Sequence, residues 1–230
     1  MNNICALIND PGHSKEFIRY ASLLATDLQT SVALLYVQNP QAYPLGTPDT
    51  LGWEVSQVQE NLLRMGEAAE KTVKGFIREI RKEDGVDISM EFRPETGNAS
   101  IILQDKVSEG LVDMVMIQGQ PEEVVWAQTS SNMEIIRNVH CPIWILPPDA
   151  IYRPLKHIIY ATDYQEEDVT TLKKLMALTE PFSPEITALH VLEDEGFASK
   201  VREAGFDEII RKRSGSDKIS VQTVTDHEEL

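Results

Sequence analysis

Short, continuously apolar segments recur along the chain, each followed by a stretch with helical periodicity, and this alternation admits few folds. Cys5-Ala6-Leu7-Ile8, Val32 to Val37, Met114 to Ile117 and Ile143-Trp144-Ile145-Leu146 are runs of this kind. A strand apolar on consecutive positions is buried on both faces, the situation of a parallel sheet covered by helices on both sides. The intervening stretches supply the helices. After the turn Asn9-Asp10-Pro11-Gly12, with Ser14 as cap, Phe17, Ile18, Ala21, Leu24 and Ala25 recur at helical spacing. Val58, Leu62, Met65, Ala69, Val73, Phe76, Ile77 and Ile80 form one stripe, predicting a helix over 53–82. Ile88 to Phe92 alternates like a strand, Gly97-Asn98 opens a helix that Gly110 stops, and a short helix spans 131–139. Residues 1–147 therefore read β-α-β-α-β-α-β-α-β, a doubly wound, Rossmann-like α/β domain with a five-stranded parallel sheet of order 3-2-1-4-5.

The remainder repeats the opening. Ile158 to Asp163 follows Ile4 to Asn9, and Thr187 to Val191 follows Ala33 to Val37, both 154 positions later. Ile219 to Val224 resembles Ile88 to Arg93 at an offset of 131, so the second copy is shorter between its second and third strands. Counterparts of the fourth and fifth strands are missing. The expected organisation is a domain over 1–147, a proline-stiffened linker over 148–156 containing Pro148 and Pro154, and an incomplete second repeat over 157–230. Three strands and two helices leave one face and one edge of the second sheet open.

Composition narrows the function classes. Among 230 residues, 37 acidic against 21 basic side chains give a net charge of −16. Such a chain repels nucleic acid and anionic lipid, so neither is an expected partner. No apolar run approaches the roughly 20 residues of a membrane helix, and no leader-like segment opens the sequence. Two cysteines, Cys5 and Cys141, beside apolar runs suit buried thiols in the cytoplasm. His140-Cys141 lacks further ligands at metal spacing, and no Walker-type, dinucleotide or nucleophile-elbow motif occurs, so no catalytic residue and no metal site is expected.

In an open α/β sheet a ligand binds beyond the carboxyl ends of the strands, where strand order reverses. Right-handed crossovers put strand 1 in the middle. The crevice should thus lie between Asn9 to Ser14 and Gln118 onward, flanked by Val37 and the loop from Glu95 to Asn98. Here the residues resemble a known family. Ile4 to Ser14, Val32 to Val37, Gly97-Asn98, Asp113 to Gly119, Thr129-Ser130-Ser131 and Cys141 to Ile145 together resemble a universal stress protein (UspA-like), and Asp163 with Leu189-His190-Val191 resembles the start of a second such domain. Tandem members of that family exist, in agreement with the repeat.

The resemblance implies a nucleotide site, from which this sequence departs. Nucleotide-binding members have an Asp ending strand 1, a Gly-x-x-Gly after strand 4 and a Gly-Ser opening the next helix. Here Asn9 stands at the Asp position with Asp10 beside it, and Gln118 and Pro121 (or Gly119 and Glu122) stand at the paired glycines. Thr129 stands at the third glycine, with Ser130 and Ser131 after it. Glycines let backbone N–H groups approach phosphates, and proline removes such a donor. Glu122 and Glu123 add negative charge where a phosphate would sit. The second copy keeps Asp163 and Val191 without a strand-4 loop.

The expectation is a stress-response protein acting as a non-catalytic association or regulatory module, with no cofactor and a degenerate site at the residues named above. The alternative is a sensor binding ATP or AMP with Mg²⁺, with weak hydrolysis or autophosphorylation. Pro142, Ile143, Trp144, Ile145 and Leu146 would form an apolar edge strand. The resemblance implies that this strand pairs two domains, so a homodimer is expected there, besides a protein partner of unknown kind.

Overall fold

A computed structural model describes residues 3–39, 51–119, 131–192, 197–214 and 218–225. The chain forms two compact units, Met1–Tyr152 and Arg153–Leu230. In the first, β1 (Asn3–Ile8) leads through a 3₁₀ turn at Pro11–His13 to α1 (Lys15–Asp27), then β2 (Ser31–Gln38), α2 (Leu51–Asp84), β3 (Met90–Thr96), α3 (Ala99–Ser108), β4 (Met114–Gln118), α4 (Ser131–Asn138) and β5 (Ile143–Leu146). The sheet is parallel with order β3-β2-β1-β4-β5, as the alternation predicts.

β1 occupies the centre, with Ile4 paired to Val32 on one edge and to Met114 on the other. Ile4, Cys5, Ala6, Leu7 and Ile8 are all buried, which is why the run is apolar without alternation. Cys5 and Leu7 face a cluster that includes Leu103 of α3, Val115 and Ile117 of β4 and Ile135 of α4. Burial lifts the Cys5 thiol to about 12, so it behaves as a small apolar residue. On the α1–α2 side, Arg19 reaches Glu16 at 2.6 Å, Asp84 at 2.8 Å and Glu83 besides, and Lys15 reaches Glu79 at 2.6 Å. These pairs lock the carboxyl end of α2 onto α1.

Three local expectations shift. Ser14 stands at the cap of α1 but gives it no side-chain bond; its hydroxyl donates to the Pro11 carbonyl at 3.0 Å, closing the preceding turn. The third strand begins at Met90, because Ser89 offers its carbonyl to the Val32 amide at 2.9 Å while the Ile88 carbonyl accepts from Arg81. The chain after β5 turns at Pro147 to Ala150 and then joins the first unit. Tyr152 lies edge-on to Tyr20, with ring centroids 5.2 Å apart, and its hydroxyl donates to Asp27.

The second unit contains β6 (His157–Ala161), α5 (Glu166–Leu178), β7 (Glu185–Leu192), α6 (Phe197–Ser214) and β8 (Ile219–Thr225), in a parallel sheet of order β6-β7-β8. Its first register repeats that of the first unit: Ile158 pairs with Ile186 as Ile4 pairs with Val32, both members 154 positions on. Ile219 pairs with Ile186 as Met90 pairs with Val32, so the third-strand offset is 129 (90 to 219) and not 131. Val169, Leu172, Phe206 and Ile210 from the two helices cover one face. On the other, Ile159 is 71% and Val191 51% exposed.

A polar knot holds the β6–α5 turn. Asp168 accepts from Tyr160 at 2.7 Å, Thr162 at 2.7 Å and the Gln165 amide at 3.0 Å, completing a capping box with Gln165. Partial burial opposes its charge, but these donors outweigh it and hold the carboxyl below its ordinary value of 3.8. Because the folded value is the lower one, the charged form adds stability above about pH 4, and that stability disappears as pH falls through the folded value. Asp168→Asn should therefore destabilise the second unit by about 1 kcal/mol at pH 7. Chemical denaturation at pH 7 and pH 3 should show the gap between the wild type and the variant narrowing at acid pH.

Candidate functional site

Beyond the carboxyl ends of β1 and β2 lies a crevice of 340 Å³, lined by Asn9, Val37, Asn39, Gly97, Asn98 and Glu134 among others. Its position follows from the topology: the β1–β2 and β4–β5 crossovers run to opposite sides of the sheet, and the strand ends part between them. Gly97, at φ +150°, lets the chain leave β3 sharply. Asn98 then caps α3, its side-chain oxygen accepting from the Ile101 amide at 3.1 Å. The expected residues Asn9 and Val37 do meet here. Asn39, Asn98 and Glu134 join them. The Glu134 carboxylate, on α4, accepts from the Asn98 amide nitrogen at 3.1 Å.

The remaining candidates are engaged elsewhere. Asp10 caps its own turn: one carboxylate oxygen accepts from the Gly12 amide at 2.8 Å and the other sits 2.8 Å from His13 Nδ1. The His13 contact and the Gly12 amide hold its carboxyl below the usual range. Asp10 is thus a turn residue and does not line the crevice. Gly119 donates its amide to the Leu146 carbonyl at 2.7 Å, which closes β4 against β5 and removes that donor from any phosphate. The Gln118 carbonyl accepts from the Asn132 side chain at 3.3 Å. Asn132 is 2% exposed, and among the described residues its side-chain oxygen has no hydrogen-bond partner. Thr129 and Ser130 lie outside the described residues, as do Pro121, Glu122, Glu123 and the side chain of Ser131.

In the second unit Asp163 and Val191 end neighbouring strands and are both exposed. Asp163 lies 3.8 Å from the His190 ring, whose Nδ1 donates to the Thr162 carbonyl at 2.6 Å. These contacts belong to the turn. Of the edge-strand residues, Trp144 turns inward and hydrogen-bonds Tyr20, Leu146 is buried, and Ile145 remains 37% exposed. Among the described residues no strand pairs with the outer edge of β5, and no group of three His, Cys, Asp or Glu could hold a metal. Nor is any described helix long and apolar enough to cross a membrane.

No family model and no curated protein matches the chain. Solved structures do. A universal stress protein from Archaeoglobus fulgidus DSM 4304 aligns over 97% of this chain and 78% of its own, with 12% identity and a TM-score of 0.60. A protein of unknown function from Pseudomonas aeruginosa PAO1 aligns over 96% and 73%, with 14% identity and a TM-score of 0.56. An Arabidopsis thaliana universal stress protein with AMP bound covers 65% of this chain and 94% of its own at 13% identity, with a TM-score of 0.40, too low to transfer its ligand contacts. These likenesses establish a fold, that of universal stress proteins.

Gly119 tests how the end of β4 is used. A Cβ there would stand 3.3 Å from the Leu146 carbonyl oxygen, a backbone atom with little freedom to yield. Gly119→Ala should lower the stability of the first unit by about 1–2 kcal/mol. Thermal unfolding should show this loss equally with and without added nucleotide.

Proposed function

We propose that this chain, built on the universal stress protein fold, acts in stress response as a non-catalytic association module whose nucleotide crevice has degenerated. The observation that carries this reading is that polar groups in and beside the crevice bond within the chain. The Gly119 amide is held by β5, Asp10 by its own turn, and Asn98 by Glu134. Among the described residues, the crevice lining contains a carboxylate and neither lysine nor arginine. A polyphosphate needs converging N–H donors and positive charge, and meets the opposite here.

Thermal shift with ATP, AMP and cAMP, each with Mg²⁺, tests the reading. A ligand at a hundredfold excess over its dissociation constant stabilises by about 2.7 kcal/mol, which raises Tm by roughly 5–10 °C for a unit of this size. The expected rise at 1 mM nucleotide is below about 1 °C. A full rise that vanishes in Ser130→Ala would replace this reading with the ATP- or AMP-binding sensor.

We place homodimer formation at β5. Among the described residues this strand has β4 as its one strand neighbour, and it exposes Ile145. An apolar edge with unpaired backbone favours pairing with a second copy. Trp144 is a poor probe because it bonds Tyr20 within its own unit. Ile145→Lys should convert a dimer to a monomer in light scattering, with circular dichroism unchanged; an unaltered mass would remove β5 as the interface.

A further inference from the structure

A second concavity lies away from the crevice, between α2 and the carboxyl ends of β2 and β3. It encloses 590 Å³, within the range of cavities that take small ligands or a few side chains. Its origin is geometric. The 34 residues of α2 span about 51 Å, whereas the eight residues of β2 span about 26 Å, so the helix overruns the sheet. Gln38, 7% exposed at the end of β2, fixes where contact begins by donating its amide to the Leu62 carbonyl at 3.0 Å. From there Leu62, Ala69, Val73, Ile77 and Ile80 are buried, while Leu63 remains 68% exposed at the groove.

Gly66 forms the notch. Glycine weakens a helix interior relative to alanine, so its presence there calls for a reason. The chain's own packing supplies none: a Cβ would meet the Gln38 side-chain oxygen and the Pro94 Cβ at 3.8 Å, ordinary contact distances. Gly75, further along the same helix, has nothing within 4 Å and borders no such concavity. At Gly66 the omitted side chain leaves room beside Leu62, Leu63 and Pro94.

The rim is acidic. Glu67 forms no ion pair among the described residues, Glu70 is paired with Lys74 at 2.5 Å, and no lysine or arginine lines the groove. An apolar floor with carboxylates at its edge complements a segment that carries an apolar side chain next to a cationic one.

We propose that this groove is the partner-binding surface of the association module, and that it receives a short basic-apolar peptide segment of another protein. The segment seats an apolar side chain over Gly66 and directs Lys or Arg toward Glu67. The proposal rests on the association reading above and adds to it the place and chemistry of the partner.

The test is an NMR titration of the ¹⁵N-labelled full chain with an acetylated peptide of alternating arginine and leucine, five residues long, and with its glutamate-leucine counterpart. The arginine peptide should shift the amides of Leu62, Leu63, Gly66 and Thr96 saturably, and the glutamate peptide should not. Gly66→Leu should weaken binding tenfold or more; Gly66→Ala should weaken it about twofold while Tm stays level or rises. Glu67→Gln should weaken it about threefold and flatten its salt dependence. Shifts scattered over the acidic surface, or affinity unchanged in Gly66→Ala and Glu67→Gln, would overturn the assignment. So would a change in mass of the free protein on Gly66→Leu, which would make a second copy the occupant. Any of these failures with no nucleotide response leaves the association reading in force; a nucleotide response removes that reading itself.

Discussion

β1 is hydrogen-bonded along both edges and buried on both faces, and the first unit is arranged around that fact. Ile4 and Ile8 alone remove enough apolar surface to contribute about 1.5–3 kcal/mol each. More important is what a doubly paired central strand does to topology. β2 must lie to one side and β4 to the other, and each parallel crossover needs a helix. The chain leaves β1 toward β2 and leaves β4 toward β5, in opposite directions across the sheet, so a crevice opens at their carboxyl ends. The crevice is therefore a by-product of folding, present whether or not a ligand uses it.

What fills that crevice chemically is a separate matter, settled by where polar groups find partners. Asp10 can cap a turn or face outward, and proximity to Gly12 and His13 decides for the turn. Asn98 caps α3 with its oxygen, which leaves its nitrogen pointing across to Glu134. Each arrangement satisfies the chain's own donors and acceptors and removes a group that could have met a ligand. The second unit carries the same tendency further. Asp168 gathers three donors around the turn after β6, including Tyr160 and Thr162 from the strand side, and makes that end of the sheet self-contained.

Apolar continuity made the strands legible from sequence, and the repeat spacing of 154 fixed the pairing of β6 with β7 before any coordinates. The third-strand offset was misread by two positions because Ile88 looks like a strand residue. Its carbonyl in fact serves Arg81, and the ladder begins one residue beyond Ser89. Hydrophobic pattern reports burial, and backbone pairing can start later than burial does. Helix caps are legible where the side chain bonds forward into its helix, as at Asn98, and not at Ser14, whose hydroxyl donates back to the Pro11 carbonyl and accepts no amide of α1. Topology points to a crevice at Asn9 and Val37, and both line the concavity at the ends of β1 and β2. The contact of Glu134 with Asn98 is not legible in the sequence, because a residue 36 positions away carries no local signal of it.

Glycines divide the same way, and they show what sequence alone leaves open. A glycine after strand 4 suggests a phosphate loop, but Gly119 is needed because Leu146 passes within 3.3 Å of where its Cβ would be. Gly97 is needed for a backbone angle. Gly66 is needed for neither: its helix is regular and its neighbours would accept a methyl group at 3.8 Å. The first two are explained by the chain itself; of the two glycines inside α2 that neither packing nor backbone angle requires, Gly75 borders open space and Gly66 sits in the larger concavity with the acidic rim. A helix position where local stability is given up beside an open concavity is a guide to where something external fits.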